Sequence, residues 1–582
     1  MATTTAADRR ALGQWFTAAP VADLAIAALS PLDSRARVID PTCGDGAFLA
    51  AAHAAGVRSL TGIEIDPAAA GQARTRLPGA QILVADALAP DLVHRLEDRR
   101  GGFDLAIGNP PWVRAGRIDP AIKRARADVL AADWPDLDPA LIDVIARHAD
   151  LAATCLLRAL RLVRPGGQVA LVLSTALLDA DGAAALWTAV EQIASVRALI
   201  IAPAERWFPT AAVNPMLVIA ERHAGPAVAS APRMLRLIVP THVAARTSGL
   251  DAIAEVADER RPDTVTVTGA RVQTAAARVE LFAAAGNQRR DGFGAWGPAL
   301  RAPAAWFAWR AAAGAAVVPL RELAEVRRGL TTGANHVFYL RRELAREHRL
   351  EKNYLAPVVR SPFNGSPAPI SIAPGESPLV AIALPPDIDL AKVPRIAAWL
   401  RDHAAEALAT SASRRDPWWA LPAHPARLFL AKAYGPRFVQ RLADIPMLAD
   451  QRVYALHPRE GVDLVALAAV LNALPTALAI ESLGRGSMGF GAVEWTVHDA
   501  LELPVLDVRR ADSRQIERLH AALAGFARRP IEHLRLECDR ADRRALDAAA
   551  MALAPGAELA PTMWTALLAS VALRDRYLLP SV

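Results

Sequence analysis

Two rhythms alternate over the first 220 residues. Short apolar runs recur at 38–39, 60–65, 81–84, 103–108, 169–174, 198–201 and 216–220, and Ala-rich stretches separate the early ones. Strand-length runs spaced by helix-length segments predict a strand–helix–strand succession. That succession builds an open, mostly parallel sheet with helices on both faces, an α/β class. Stretches rich in Pro and Gly near 224–233 and 286–303 read as connectors. From about 301 to 510 the rhythm is lost. Short β-like runs, prolines and scattered aromatics there predict a separate α+β domain, and a charged helical segment follows from Ala511. The expected organisation is a first domain over 1–235, a connector over 236–300, a second domain over 301–510 and a helical tail over 511–582. A chain of 582 residues is too long for one ordinary core, which agrees with several domains.

With 53% apolar and 22% charged residues the chain is globular. Ala, Arg and Pro are heavily used and Lys is almost absent, the mark of a GC-rich coding sequence, so Arg richness alone says little about nucleic acid. Charge distribution says more. Residues 1–220 carry 21 Lys and Arg against 23 Asp and Glu, and the rest of the chain is net +8. A near-neutral front and a basic back fit a catalytic domain followed by a part that binds a polyanion. The three cysteines, Cys43, Cys155 and Cys538, form no CxxC pair. No metal site or disulfide framework is expected, and a reducing cytoplasm is the expected setting. The N-terminus lacks a signal-peptide profile. The longest apolar run, 464–480, is interrupted by Asn472 and Pro475; it reads as a buried helix pair, with no role at a membrane.

The first candidate chemistry lies at Asp40-Pro41-Thr42-Cys43-Gly44-Asp45-Gly46-Ala47-Phe48. An apolar strand ends in an acid, a turn with two glycines follows, and a helix begins. Glycines let a backbone approach a ligand closely. The spacing differs from the GxGxxG of dinucleotide binders. A second strand ends at Glu64, 24 residues after Asp40, where an acid can accept both hydrogen bonds of a ribose diol. A third leads, 22 residues on, to Asp86, placed to accept from an adenine amino group. The fourth strand leads into Asn109-Pro110-Pro111-Trp112. An exocyclic amine of adenine is a poor nucleophile, because its lone pair is delocalised into the ring. The side-chain carbonyl of Asn109 and the backbone carbonyl of Pro110 can accept its two N–H bonds as the nitrogen becomes tetrahedral. The prolines stiffen the loop, and Trp112 offers a face on which an extruded base can stack. Cytosine C5 chemistry is disfavoured, since it needs a Cys nucleophile and Cys43 sits in the glycine loop.

These segments resemble the S-adenosyl-L-methionine site and the NPPY motif of class I amino-methyltransferases, with Trp in place of Tyr. The resemblance implies that Gly44 and Gly46 line the methionine portion of the cofactor, with Glu64 on its ribose and Asp86 on its adenine. The segment Gly13-Gln14-Trp15-Phe16-Thr17 is similar to the one that closes over the methionine end in that family, which makes Thr17 a candidate; the usual Thr-Pro is Thr17-Ala18 here. In the related DNA enzymes an aromatic before a late strand completes a sandwich around the base. Phe208 is the candidate, with Trp207 second.

The back half resembles a target-recognition domain of γ-class adenine-N6 DNA methyltransferases. The segment from Arg327-Arg328 through Gly329, Thr332, Gly333 and Asn335 to Phe338 is similar to the G…TGxNxxF signature that opens that domain. The segments 296–301 and 487–492 resemble flanking parts of it. Residues 301–360 hold 11 Lys and Arg against 5 Asp and Glu, so Arg327 and Arg328 are candidates for phosphate contact and Asn335 for the recognition surface. The resemblance implies a site-specific enzyme on double-stranded DNA, with RNA or protein-glutamine methylation as the alternative. The catalytic motifs begin near residue 13 and no nuclease motif follows, so a stand-alone modification enzyme is expected. A cognate restriction nuclease or a phage-defence partner is an expectation by family analogy.

Overall fold

The computed structural model describes residues 17–96, 102–178, 182–202, 205, 207–208, 214–225, 233–237, 241–256, 302–361, 367–373, 375–485 and 492–575. The sequence segments 13–16, 209–213 and 296–301, and all of 487–492 except Ala492, lie outside the described residues. The chain divides into two compact units. One comprises 1–304 with 485–491 and 576–582; the other comprises 305–484 with 492–575.

The first unit is built on eight strands: β1 Arg37–Asp40, β2 Ser59–Glu64, β3 Gln81–Val84, β4 Phe103–Gly108, β5 Val163–Ser174, β6 Ala194–Ile201, β7 Pro215–Arg222 and β8 Arg233–Arg236. Their order across the sheet is β3-β2-β1-β4-β5-β7-β6-β8. Neighbours from β3 to β5 are parallel, whereas β7 runs antiparallel to both β5 and β6. Helices α1 Ala19–Leu29, α2 Ala47–Ala54, α3 Pro67–Arg76, α4 Pro120–Asp133, α5 Pro139–His148, α6 Leu151–Leu162 and α7 Ala183–Ile193 accompany the strands. Three of these helices start in the same way. Asp66-Pro67, Asp119-Pro120 and Asp138-Pro139 each place Pro in the first turn, while the Asp side chain accepts from a backbone N–H two residues on at 2.7–2.9 Å. Proline's fixed φ suits that position and its missing N–H costs nothing there. Residues 169–173 and 216–220 are buried throughout, as expected of strands covered on both faces.

The mostly parallel sheet read from the sequence is thus present, with one reversed strand that periodicity does not reveal. The link from Ile201 to Pro215 is about a dozen residues with no described helix. A parallel return needs a crossover, usually helical, whereas an antiparallel partner needs only a loop. This strand order, with a reversed strand between β5 and β6, is the class I methyltransferase arrangement.

The second unit is α+β. Its main sheet contains β9 Ala324–Arg328, β10 Tyr339–Arg341, β11 Leu355–Val359, β12 Leu379–Ile382, β13 Ala426–Ala431, β14 Arg441–Ala449 and β15 Val453–Pro458. They lie in the order β9-β15-β13-β14-β11-β12-β10, antiparallel except where β11 meets β14. The apolar run 464–480 forms two buried helices, α8 Leu464–Leu471 and α9 Leu474–Leu483, bent by 58°. At the break, Asn472 Nδ2 donates to the carbonyls of Ala468 and Gln440. Helices α10 Ser513–Ala527, α11 Ala541–Met551 and α12 Ala560–Asp575 bind to this pair through polar ties. His520 meets Asp463 at 2.7 Å, Asp547 accepts from the Leu474 N–H at 2.7 Å, and Arg574 pairs with Glu481 at 2.8 Å. No single helix among the described residues is long and apolar enough to cross a membrane.

Candidate active site at the carboxyl ends of the strands

Strand order reverses direction between β1 and β4, so the loops leaving these two strands diverge and open a crevice. The glycine loop leaves β1 there, and Asn109-Pro110-Pro111-Trp112 leaves β4. Asp40, the last residue of β1, is buried, and its Oδ1 accepts from the Thr42 N–H at 3.0 Å. Gly108 ends β4 at φ +150°, and a Cβ on it would lie 2.5 Å from Asp40 Oδ1. A side chain at 108 would therefore expel the carboxylate that the crevice is built around. Burial, with smaller contributions from Glu64 and Asp45, pushes the Asp40 carboxyl up to about 8.

Glu64 is tied into the loop rather than free at its strand tip. Its Oε2 accepts from the Gly44 N–H and its Oε1 from the Asp66 N–H, each at 2.8 Å. Gly44 (φ +53°) and Gly46 (φ +86°) make the turn that brings this N–H round. Burial raises the Glu64 carboxyl above its ordinary range despite these bonds. Each carboxylate oxygen has a second lone pair, so the group can still accept from a diol while it holds the loop.

Beside Glu64 the structure shows apolar surface that the motif reading did not single out. Ile65 is 63% exposed, and Val84, cross-strand partner of Glu64, is 45% exposed. Asp86, two residues beyond Val84, is exposed, and its Oδ1 accepts from the Leu88 N–H at 2.8 Å. An apolar ledge between two acids suits a flat, amine-bearing ring.

The loop that carries Asp86 has a brace that the sequence did not announce. Arg158 on α6 is 1% exposed and pairs with Asp133 at the end of α4, its Nη1 lying 2.6 and 2.7 Å from the two carboxylate oxygens. Its other nitrogens donate to the carbonyls of Ala87, at 3.2 Å, and Ala89. A buried Arg in an Ala/Leu-rich helix, 25 residues after Asp133, carries no periodic signal. Only tertiary structure shows what it holds.

On the catalytic loop, Asn109 Nδ2 donates to Thr17 Oγ1 at 3.2 Å. Thr17, a candidate for the cofactor's methionine end, is thus placed beside the candidate catalytic amide. Pro110 is buried. Trp112 Nε1 donates to the Val172 carbonyl at 3.4 Å, and the Val113 carbonyl accepts from the Leu151 N–H at 3.0 Å, which ties the loop to β5 and α6. Trp112 and Phe208 are brought together, with ring centroids 5.0 Å apart and planes at 83°. Both rings are buried and edge-to-face, so the pair encloses no slot. Trp207 is a core residue whose Nε1 donates to Thr241 Oγ1 at 2.8 Å. Cys43 is buried, and burial pushes its thiol far up, which keeps it from serving as a nucleophile.

The donor set fits S-adenosyl-L-methionine. Asp40, Asp45 and Glu64 crowd one turn, and repulsion from the other two adds to the rise at Asp40. A ligand carrying a sulfonium and an ammonium relieves that repulsion. The Thr42 hydroxyl in the same turn is buried with no hydrogen-bond partner among the described residues. The exposed Ile65 and Val84 add apolar surface beside Glu64.

In the second unit Arg327 and Asn335 have local partners. Arg327 on β9 pairs with Glu325 at 2.7 Å and meets His424 Nδ1 at 2.6 Å. Arg328, the last residue of that strand, is exposed and makes no ion pair among the described residues. Asn335 accepts from the buried Thr332 hydroxyl, so it is engaged in a turn. Gly333 in that turn has φ +74°, and a Cβ there would lie 2.4 Å from the Ala412 nitrogen. The glycines of this signature thus serve close packing.

No protein-family model matches the chain, and no curated protein matches it. Among solved structures, the type IIG restriction endonuclease BpuSI aligns over 98% of this chain and 67% of its own, at 14% identity and a TM-score of 0.43. The M protein of the type I restriction enzyme EcoKI aligns over 36% of this chain and 44% of its own, at 14% identity and a TM-score of 0.27. A class I S-adenosylmethionine-dependent methyltransferase from Listeria monocytogenes aligns over 36% of this chain and 62% of its own, at 15% identity and a TM-score of 0.28.

Proposed function

We propose that the chain is a site-specific DNA methyltransferase that methylates the exocyclic N6 amine of an adenine turned out of the duplex. It acts in the cytoplasm, in restriction–modification or phage defence, with a nuclease or defence protein as partner. The observation that carries this reading is Asn109-Pro110-Pro111-Trp112 at the end of β4, facing across the crevice the acid-lined turn of β1. S-adenosyl-L-methionine, when bound, supplies an activated methyl group on sulfur.

The chain's own residues do the rest. Asp40, Gly44, Gly46 and Glu64 hold the amino-acid and ribose parts. Ile65, Val84 and Asp86 seat the adenine, with Arg158 bracing the Asp86 loop. The Asn109 side-chain carbonyl and the Pro110 carbonyl accept the two N–H bonds of the target amine, which localises its lone pair for in-line attack. The bond from Thr17 to Asn109 fixes the amide's rotation. Trp112 and Phe208 part to stack on the extruded base. The γ-class reading places sequence recognition in the second unit, with Arg328 available to phosphate and with Arg327 and Asn335 as supports of that surface.

Long-read sequencing of DNA from cells expressing the protein tests the proposal. N6-methyladenine in one short sequence context is expected. Unmodified DNA together with methylated ribosomal RNA or protein glutamine would replace it with the alternative.

A further inference from the structure

We infer that the catalytic unit itself carries a binding cleft for the phosphodiester backbone of the target strand, formed by Arg114, Lys123 and Arg124. This rests on the DNA methyltransferase reading. The cleft has a volume of about 890 Å³ and is walled by the chain just after the catalytic loop, by α4, by α5 and the turn after it, by Ala176 and Leu177 after β5, and by Arg485. Arg114 is two residues beyond Trp112, and Lys123 and Arg124 lie in the first turns of α4. Backbone held here would therefore lie close to the base being modified.

Charge accounting makes the cleft a site rather than a solvated face. Most described arginines of this unit are neutralised or spent on carbonyls. Arg76, Arg95 and Arg164 pair with Asp45, Asp91 and Asp104, and Arg37 and Arg74 donate to backbone. The cleft's two acids are likewise engaged. Asp143 pairs with Arg147 at 2.6 Å. Asp150 caps α6 through the Ala153 N–H, and the buried guanidinium of Arg126 donates to its backbone carbonyl and draws on its carboxylate. The side chains of Arg114, Lys123 and Arg124, and of Arg117 between them, have no ion-pair or hydrogen-bond partner among the described residues. Four cations without an ion pair among the described residues, within eleven residues of chain, repel one another at some cost, and a polyanion removes that cost. Glycine at 116 and alanine at 115 keep this wall low enough for a backbone to approach. Sequence motifs point to phosphate contacts only in the back half. They pass over these residues because segment 113–150 has no net basic charge, although five of its seven acids serve as helix caps or ion-pair partners.

The test uses the full chain with Arg114→Gln, Lys123→Gln and Arg124→Gln combined. All three side chains lie on the cleft surface, so the variant should fold, and S-adenosyl-L-methionine affinity within twofold of wild type checks this. Duplex DNA binding is measured over a range of salt. Each phosphate contact contributes about 0.9 to the slope of log K against log salt, so the slope should fall by roughly 2–3 and affinity should drop at every DNA sequence. A second variant, Arg114→Lys with Arg124→Lys, should restore the slope. A steep wild-type slope that the Gln variant retains would overturn the cleft alone. A slope change seen with RNA and not with duplex DNA would overturn the assignment to DNA. Wild-type protein without duplex affinity would overturn the proposed function and the cleft with it.

Discussion

Replacing Arg158 with Met separates two roles of one buried group. The guanidinium is 1% exposed, and its Nη1 lies 2.6 Å from a carboxylate that is itself 6% exposed. Removing one member of such a pair strands a buried charge, which costs about 3–5 kcal/mol, whereas replacing both with apolar groups is often neutral. Arg158→Met should therefore lower stability by about that amount. Arg158→Met with Asp133→Leu should recover most of it. Arg158 also holds the carbonyls of Ala87 and Ala89, and the double variant cannot restore those bonds. Hydrogen bonds from charged donors are worth about 1.5–3 kcal/mol, and part of that here orders the loop bearing Asp86. Cofactor affinity in the double variant should thus stay about tenfold or more below wild type, since 1.4 kcal/mol is a factor of ten. Urea unfolding gives the stabilities, and calorimetry with S-adenosyl-L-methionine gives the affinities. A double variant with wild-type cofactor affinity would show that the loop does not depend on Arg158. A single variant of wild-type stability would show that burial of this pair carries no charge penalty.

Three further outcomes follow from the crevice. Asn109→Ala should reduce methyl transfer by about 10²–10³ or more, the scale for one preorganised acceptor or donor, with cofactor affinity nearly unchanged; single-turnover methylation beside calorimetry checks both. Glu64→Ala removes the acceptor for the Gly44 and Asp66 N–H groups and should weaken cofactor binding by roughly 1.5–3 kcal/mol, while unchanged calorimetric affinity would remove Glu64 from the site. The raised Asp40 carboxyl, at about 8, is mostly neutral at pH 7. A cationic ligand favours its ionised form, so binding should release a proton, and affinity should rise with pH by up to about tenfold per unit below 7.5, where the ligand's own amine stays largely charged. The sign for folding is opposite. A carboxyl raised above its unfolded value loses stability as pH climbs from about 4 toward 8, so the ligand-free protein should become less stable over that range, and Asp40→Asn should flatten both profiles in calorimetry and thermal melts.

What was legible in the sequence follows from what local physics can encode. Strands buried on both faces announce themselves as apolar runs, and every run from 38 to 220 became a strand in place. Asp-Pro pairs mark helix starts because cap and proline act within three residues. The acids at 40, 64 and 86 were legible because each strand tip lies one strand–helix step from the last. The reversal of β7 was not, since direction is decided by which strand β7 pairs with. Function that depends on pairing across the fold was equally hidden. Glu64 was visible as an acid at a strand tip but not as the clasp of the glycine loop, 20 residues earlier in the chain. Trp112 and Phe208 were each visible as aromatics, yet only packing puts them edge-to-face at 5.0 Å. Net charge misled for a related reason. Counting signs along a segment cannot tell a carboxylate that caps a helix from one that faces solvent. Segment 113–150 therefore looks neutral, although its acids at 119, 138 and 150 are held by backbone N–H groups and the cationic side chains at 114, 123 and 124 have no partner among the described residues. Charge available to a ligand is the charge left after the fold has used its own, and that remainder is readable only in three dimensions.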